Sequence, residues 1–103
     1  MNKCFLVGRL GRDPEIINTR SGNPMTKFSV ATTERIKKND TYEDKTTWHD
    51  IIVFGWQAEA SSKRLKKGSN VVIEGKIDKD EYTNKEGQKI RNVNIIANKV
   101  IMV

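Results

Sequence analysis

The chain has 103 residues, 36% hydrophobic and 31% charged, with 19 Lys and Arg against 13 Asp and Glu for a formal net charge of +6. That length bounds it to one domain, residues 1–103, which buries roughly two-thirds of its unfolded surface, and the composition excludes a disordered chain. No apolar run approaches the ~20 residues that span a bilayer, the start Met1-Asn2-Lys3-Cys4-Phe5-Leu6-Val7-Gly8 is too soon interrupted for a signal peptide, and one cysteine leaves no internal disulfide and fits a reducing cytoplasm.

Lys3 to Leu10 reads as a first strand, with Cys4, Leu6 and Leu10 facing one way and Phe5 and Val7 the other. Gly8 and Gly11 mark a bend or bulge of the kind barrels need at corners. Arg12-Asp13-Pro14 breaks the pattern, and Arg20-Ser21-Gly22-Asn23-Pro24 is a turn. Met25 to Thr33 is a second strand in which Phe28, Val30 and Thr32 share a face. Glu34 to Lys45 reads as a polar loop around Tyr42. Thr46 to Gly55 is a third strand, rich in β-branched and aromatic residues and free of Pro and of Gly before its end. Alternation there puts Trp48, Asp50, Ile52 and Phe54 on one side and Thr47, His49, Ile51 and Val53 on the other.

The period then changes. Trp56 to Lys67 lacks β-branched residues and carries Ala58, Ser61, Ser62 and Leu65 at helical spacing, with Lys66 and Lys67 suited to a helix C-terminus and Gly68 to its termination. Asn70 to Asp78 is a fourth strand, Val71, Ile73 and Gly75 against Val72, Glu74 and Lys76. Asn84-Lys85-Glu86-Gly87 turns a hairpin into a last strand, Ile90 to Val103. The fold class is therefore all-β with one short helix. Five strands with the helix between the third and fourth is the element order of the OB-fold, a five-stranded Greek-key barrel.

Catalysis finds no support, and neither a metal nor a cofactor is expected. One His and one Cys cannot assemble a zinc site. Cys4 reads as a small buried hydrophobe, and His49 as a core or interface histidine held by a hydrogen bond rather than a general base. Gly8-Arg9-Leu10-Gly11 has the spacing of the loop that joins two helices in KH domains, but here it interrupts a strand. Ile51 and Val53 fill the barrel without help, and Asp50 would be costly to bury beside Trp48 and Phe54. Both aromatics are therefore expected to face water. Flat aromatic faces on a cationic surface suit a single-stranded nucleic acid, whose bases stack and whose phosphates need Lys and Arg.

Met1-Asn2-Lys3, Val7-Gly8-Arg9-Leu10-Gly11-Arg12-Asp13-Pro14-Glu15, Phe28-Ser29-Val30-Ala31-Thr32, Thr47-Trp48-His49, Phe54-Gly55, Leu65-Lys66-Lys67-Gly68-Ser69 and Val72-Ile73-Glu74-Gly75 resemble the bacterial single-stranded DNA-binding protein family. The blocks run in order along essentially the whole chain. The resemblance implies an OB-fold that assembles as a homotetramer, with a dimer possible, and wraps single-stranded DNA in replication, recombination and repair. It makes Trp48, Phe54 and Tyr82 stacking residues and places His49 at a subunit contact. Such a protein is expected in the bacterial cytoplasm, associated with the nucleoid, with no membrane partner.

The departures are specific. Ile36 stands where the family has an aromatic residue, Asp50 where a basic one is common, and Asp78-Lys79-Asp80-Glu81 where the family is rich in Arg and Lys. Positive charge is therefore sought at Lys3, Arg9, Arg35, Lys37, Lys38, Lys76 and Lys79. Trp56 replaces a polar residue at the helix start, where it either covers the barrel or lines an interface. Family members continue into a flexible linker and an acidic tip that recruits replication and repair proteins. This chain stops at Val103, so recruitment through such a tail is not expected. The alternative reading is a primosome accessory protein of the PriB kind, an OB-fold relative of similar length that bridges replication-restart proteins and is dimeric.

Overall fold

In the computed structural model, which describes residues 1–103 apart from the side chain of Trp56, seven elements follow one another. They are β1 (Cys4–Leu10), β2 (Glu15–Asn18), β3 (Pro24–Lys38), β4 (Thr41–Phe54), α1 (Trp56–Arg64), β5 (Asn70–Thr83) and β6 (Lys89–Met102). The expected location of Trp56 over the barrel or at an interface concerns a side chain outside the described residues. Alternation sends Leu10, Phe28, Val30, Ile51, Val53, Val71, Ile73, Ile95 and Ala97 into one core, which Leu65 joins from beyond the helix. The strand order is β1-β5-β6-β4-β3, and β1 pairs again with β3 through Arg9 and Leu10. Five strands thus close into a barrel. Ladders are antiparallel except between β4 and β6, which run parallel at Ile51 with Ile95 and Ile52 with Ile96. With the helix between the third and fourth barrel strands, this is the OB-fold. Among the described residues no helix is long and apolar enough to cross a membrane.

The structure corrects the expected elements in several places. β2, absent from the sequence reading, adds a short edge strand to β3, with Glu15 opposite Lys27 and Asn18 opposite Pro24. Glu34 to Lys45 is not a loop. β3 and β4 stay paired from Thr33 with Thr46 out to Lys38 with Thr41. Asn39 (φ 48°) and Asp40 (φ 66°) close this arm, both in the left-handed region that a two-residue hairpin turn requires. β5 likewise runs past Asp78 to Thr83, paired with Lys89. In the turn beyond it, Asn84 Oδ1 accepts the N–H groups of Glu86 (3.0 Å) and Gln88 (2.9 Å). These two arms raise the radius of gyration to 15.6 Å, against about 13 Å for a compact domain of this length.

α1 ends at Arg64, earlier than Lys67. Leu65 keeps the helical spacing because it is buried, but its backbone is extended (φ −89°, ψ 143°). Gly68 does not end the helix; it sits in a later turn and its N–H bonds the Leu10 carbonyl at 2.9 Å. Ala58 and Ser61 are buried, and the Thr26 hydroxyl donates to the Ala58 carbonyl at 2.6 Å, tying the helix to β3. Gly8 is no bulge, since β1 pairs with β5 without interruption from Cys4 to Arg9. The register shift lies instead at Glu74/Gly75, where β6 carries one extra residue.

Candidate nucleic-acid interface

Residues opposite one another on neighbouring strands share a face, so the register maps the outer wall of the barrel. With Ile51 and Val53 fully buried, the other face of β4 must point outward, and it does: Trp48 is 60% and Phe54 47% exposed. Trp48 lies opposite Ala31, Ala31 opposite Arg9, and Arg9 opposite Asn70. Arg9 therefore sits two strands, about 10 Å, from the indole's strand, and its Nε donates to Asn70 Oδ1 at 3.1 Å. Two residues along β4, Asp50 lies opposite Ser29, whose hydroxyl donates to Asp50 Oδ1 at 3.4 Å. On its other side the parallel ladder brings Asn94, which is paired in turn with Asp78 of β5. Alternation along β5 places Lys76, Asp78, Asp80 and Tyr82 on this same outer face. Tyr82 is 52% exposed.

Trp48, Phe54 and Tyr82 thus share one continuous surface. The indole reaches back across β3 to Gly11, where a Cβ would stand 2.7 Å from Trp48 Cη2 and closer still to Cζ3. Gly11, read from the sequence as part of a bend, is the floor on which this ring rests. A long-range contact of that kind leaves no local signal.

The cations divide. Arg9 and Lys76 lie on the aromatic surface. Arg35 and Lys37 lie on the β3–β4 arm, on the face that continues from Trp48, with the Arg35 guanidinium 5.4 Å from the centre of the Tyr42 ring. Tyr42, given no role in the sequence reading, shares that face and is exposed. Alternation puts Lys38 and Ile36 on the arm's other side, and Lys79 on the side of β5 away from Tyr82. Lys3 precedes β1 and is bridged to Glu74 at 3.3 Å. The structure therefore does not bring Lys38 or Lys79 to the aromatic surface, and it holds Lys3 on the outer face of β5 that carries Lys76, with its ammonium paired to Glu74. His49 is half-buried on the core side of β4, with Nε2 2.9 Å from Thr32 Oγ1.

A second exposed area is apolar. Val7, Val72 and Ile101 lie in one row across β1, β5 and β6, and Phe5 stands beside Val7 on the same face. Phe5 is 67% and Val7 70% exposed. Adjacent apolar residues this bare mark an interaction surface more often than a solvated wall.

The model of the single-strand binding protein family matches residues 1–103. The chain is 41% identical over 105 residues to single-stranded DNA-binding protein 1 of Xylella fastidiosa (strain 9a5c), covering all of this chain and 77% of that protein. It is 38% identical over 104 residues to the single-stranded DNA-binding protein of Xanthomonas axonopodis pv. citri and 39% over 111 residues to the mitochondrial single-stranded DNA-binding protein of Bos taurus. All of this chain is covered in both cases, with 58% of the first relative and 75% of the second.

Proposed function

Because the chain belongs to the single-strand binding protein family, we propose that it binds single-stranded DNA of any sequence and shields it in replication, recombination and repair. The role is one of binding, not catalysis, and its setting is the bacterial cytoplasm, at the nucleoid. The observation that carries this reading is the common outer surface of Trp48, Phe54 and Tyr82, each about half exposed. Trp48 and Phe54 are six residues apart on one strand, about 20 Å, a spacing that several unstacked nucleotides bridge. Every base has a π-face, so such a surface gives affinity without demanding a sequence. Arg9, Lys76, Arg35 and Lys37 supply the cationic margin for phosphates, Lys3 adds to it beside Glu74, and Lys38 and Lys79 contribute only to the overall field.

The oligomeric half of the proposal rests on Phe5, Val7, Val72 and Ile101. A second copy of the chain covers this face, and the assembly is a homotetramer built from such pairs. His49, held by Thr32, is assigned to a subunit contact. The test is anisotropy of a labelled oligo-dT, alone and annealed to oligo-dA. Wild type is expected to bind the single strand and not the duplex. The Trp48→Ala/Phe54→Ala/Tyr82→Ala variant is expected to lose the single strand. Equal binding by this variant would remove the stacking mechanism.

A further inference from the structure

Between the aromatic residues of β4 and Tyr82 of β5, the outer wall is neither apolar nor basic. Ser29, Asp50, Asn94 and Asp78 follow one another across β3, β4, β6 and β5. A recess of about 350 Å³ opens here, lined in part by Ser29, Asp50, Asn92 and Asn94 and also by two cations, Arg12 and Lys27, neither of which is bridged to Asp50. That volume lies within the range of small-molecule sites. Among the described residues no cation bridges Asp50, and the one side-chain hydrogen bond it accepts is from Ser29, at a single oxygen.

We infer that Asp50, held by Ser29 and flanked by Asn94, reads the edge of a base stacked on Trp48 and favours bases that carry an exocyclic amino group. This deepens the proposed function and rests on it. A carboxylate only accepts hydrogen bonds and repels phosphate, so a nucleotide over this strip presents its base and keeps its phosphate away. Asp50 follows Trp48 by two positions on the same face, about 6.7 Å, the distance at which the rim of a stacked base comes within reach. The amino group of cytosine donates to a carboxylate, whereas thymine offers a carbonyl oxygen at the same position. The amides of Asn92 and Asn94 both donate and accept, so they satisfy the remaining ring positions of cytosine. The result is a bias laid over an affinity that tolerates every base.

The experiment compares short oligo-dC and oligo-dT of equal length on wild type, Asp50→Ala and Asp50→Asn, at two salt concentrations. The two bases are of similar size, and the ratio of affinities cancels both the phosphate contribution and the general gain from removing a negative charge. The dC-to-dT ratio of wild type is expected to exceed that of Asp50→Ala by about tenfold, the low end of discrimination by one base-edge contact. The ratio should be insensitive to salt, and Asp50→Asn, which keeps an acceptor oxygen, should fall between. The same ratio in wild type and Asp50→Ala, including a uniform rise in both affinities, overturns the inference and leaves single-strand binding standing. Failure of wild type to bind either oligonucleotide overturns the proposed function itself, and this inference with it.

Discussion

Gly11 seats the indole of Trp48 so closely that a Cβ on residue 11 would come within 2.7 Å of Cη2. The strand that ends near Gly11 and the strand carrying Trp48 are separated by β3, whose Ala31 is small enough to be crossed. The atoms met by an added methyl belong to the far edge of the ring and not to backbone. Gly11→Ala is therefore expected to tilt the indole without harming the barrel. Affinity for oligo-dT should fall by about 1 kcal/mol, the low end of one base stack, while the urea midpoint moves little. A loss of stability with unchanged binding would show that the ring's position is unimportant.

Trp48→Ala removes the platform altogether. The expected cost on oligo-dT is about 1–3 kcal/mol if one base stacks there. Because the side chain is more exposed than buried, the change in folding stability should stay within about 0.5 kcal/mol. Titration calorimetry and urea unfolding of the same variant separate the two effects.

Glycines inside the barrel behave in the opposite way. A Cβ at Gly75 would stand 2.9 Å from the Ile96 carbonyl carbon and 3.0 Å from Ala97 Cα, and one at Gly8 would press on the backbone of Ala31. Backbone in a ladder cannot swing aside as an indole does. Gly75→Ala and Gly8→Ala should each destabilise the fold by about 3 kcal/mol, read from the urea midpoint. In the fraction that folds, intrinsic DNA affinity should be retained.

The bare apolar row predicts assembly. Val7→Glu places a charge among Phe5, Val72 and Ile101, and a charge buried against a like surface on a second copy has no partner. Sedimentation velocity should show wild type as an oligomer and the variant as a monomer that still binds a short oligonucleotide. A variant that sediments like wild type would exclude this face from the subunit contact.

Legibility of the fold in the sequence followed exposure. Where a strand has one dry face, as from Trp48 to Phe54, strict alternation sorted every residue correctly, because a buried Ile51 or Val53 forces its neighbours out. The arms defeated the same reasoning. From Thr33 to Thr46 both faces are wet, so no period-2 signal exists. The pairing shows only in contacts such as Arg35 over Tyr42 and in a turn of Asn39 and Asp40 that lacks glycine. β2 was missed because four residues are too few to establish a period. Leu65 misled in a different manner, keeping the helical spacing for burial after the helix had ended. Of the candidate site, the aromatic residues were readable from alternation and from resemblance. The grouping of Arg9 with Trp48 and the seat at Gly11 depend on strand register, which no local pattern specifies. The separation of Lys79 from Tyr82 follows from alternation along a β5 that runs on to Thr83, beyond the strand end expected at Asp78.

Stacking on Trp48 is tested most directly by its own emission. In a Trp56→Phe background Trp48 is the sole indole, and titration with oligo-dT is expected to quench it to a saturating endpoint. Repeated across salt, log affinity should fall linearly with log salt at a slope of about −0.7 for each phosphate neutralised. Tight binding seen by anisotropy of the labelled DNA, with Trp48 emission unaltered at saturation, would contradict the account.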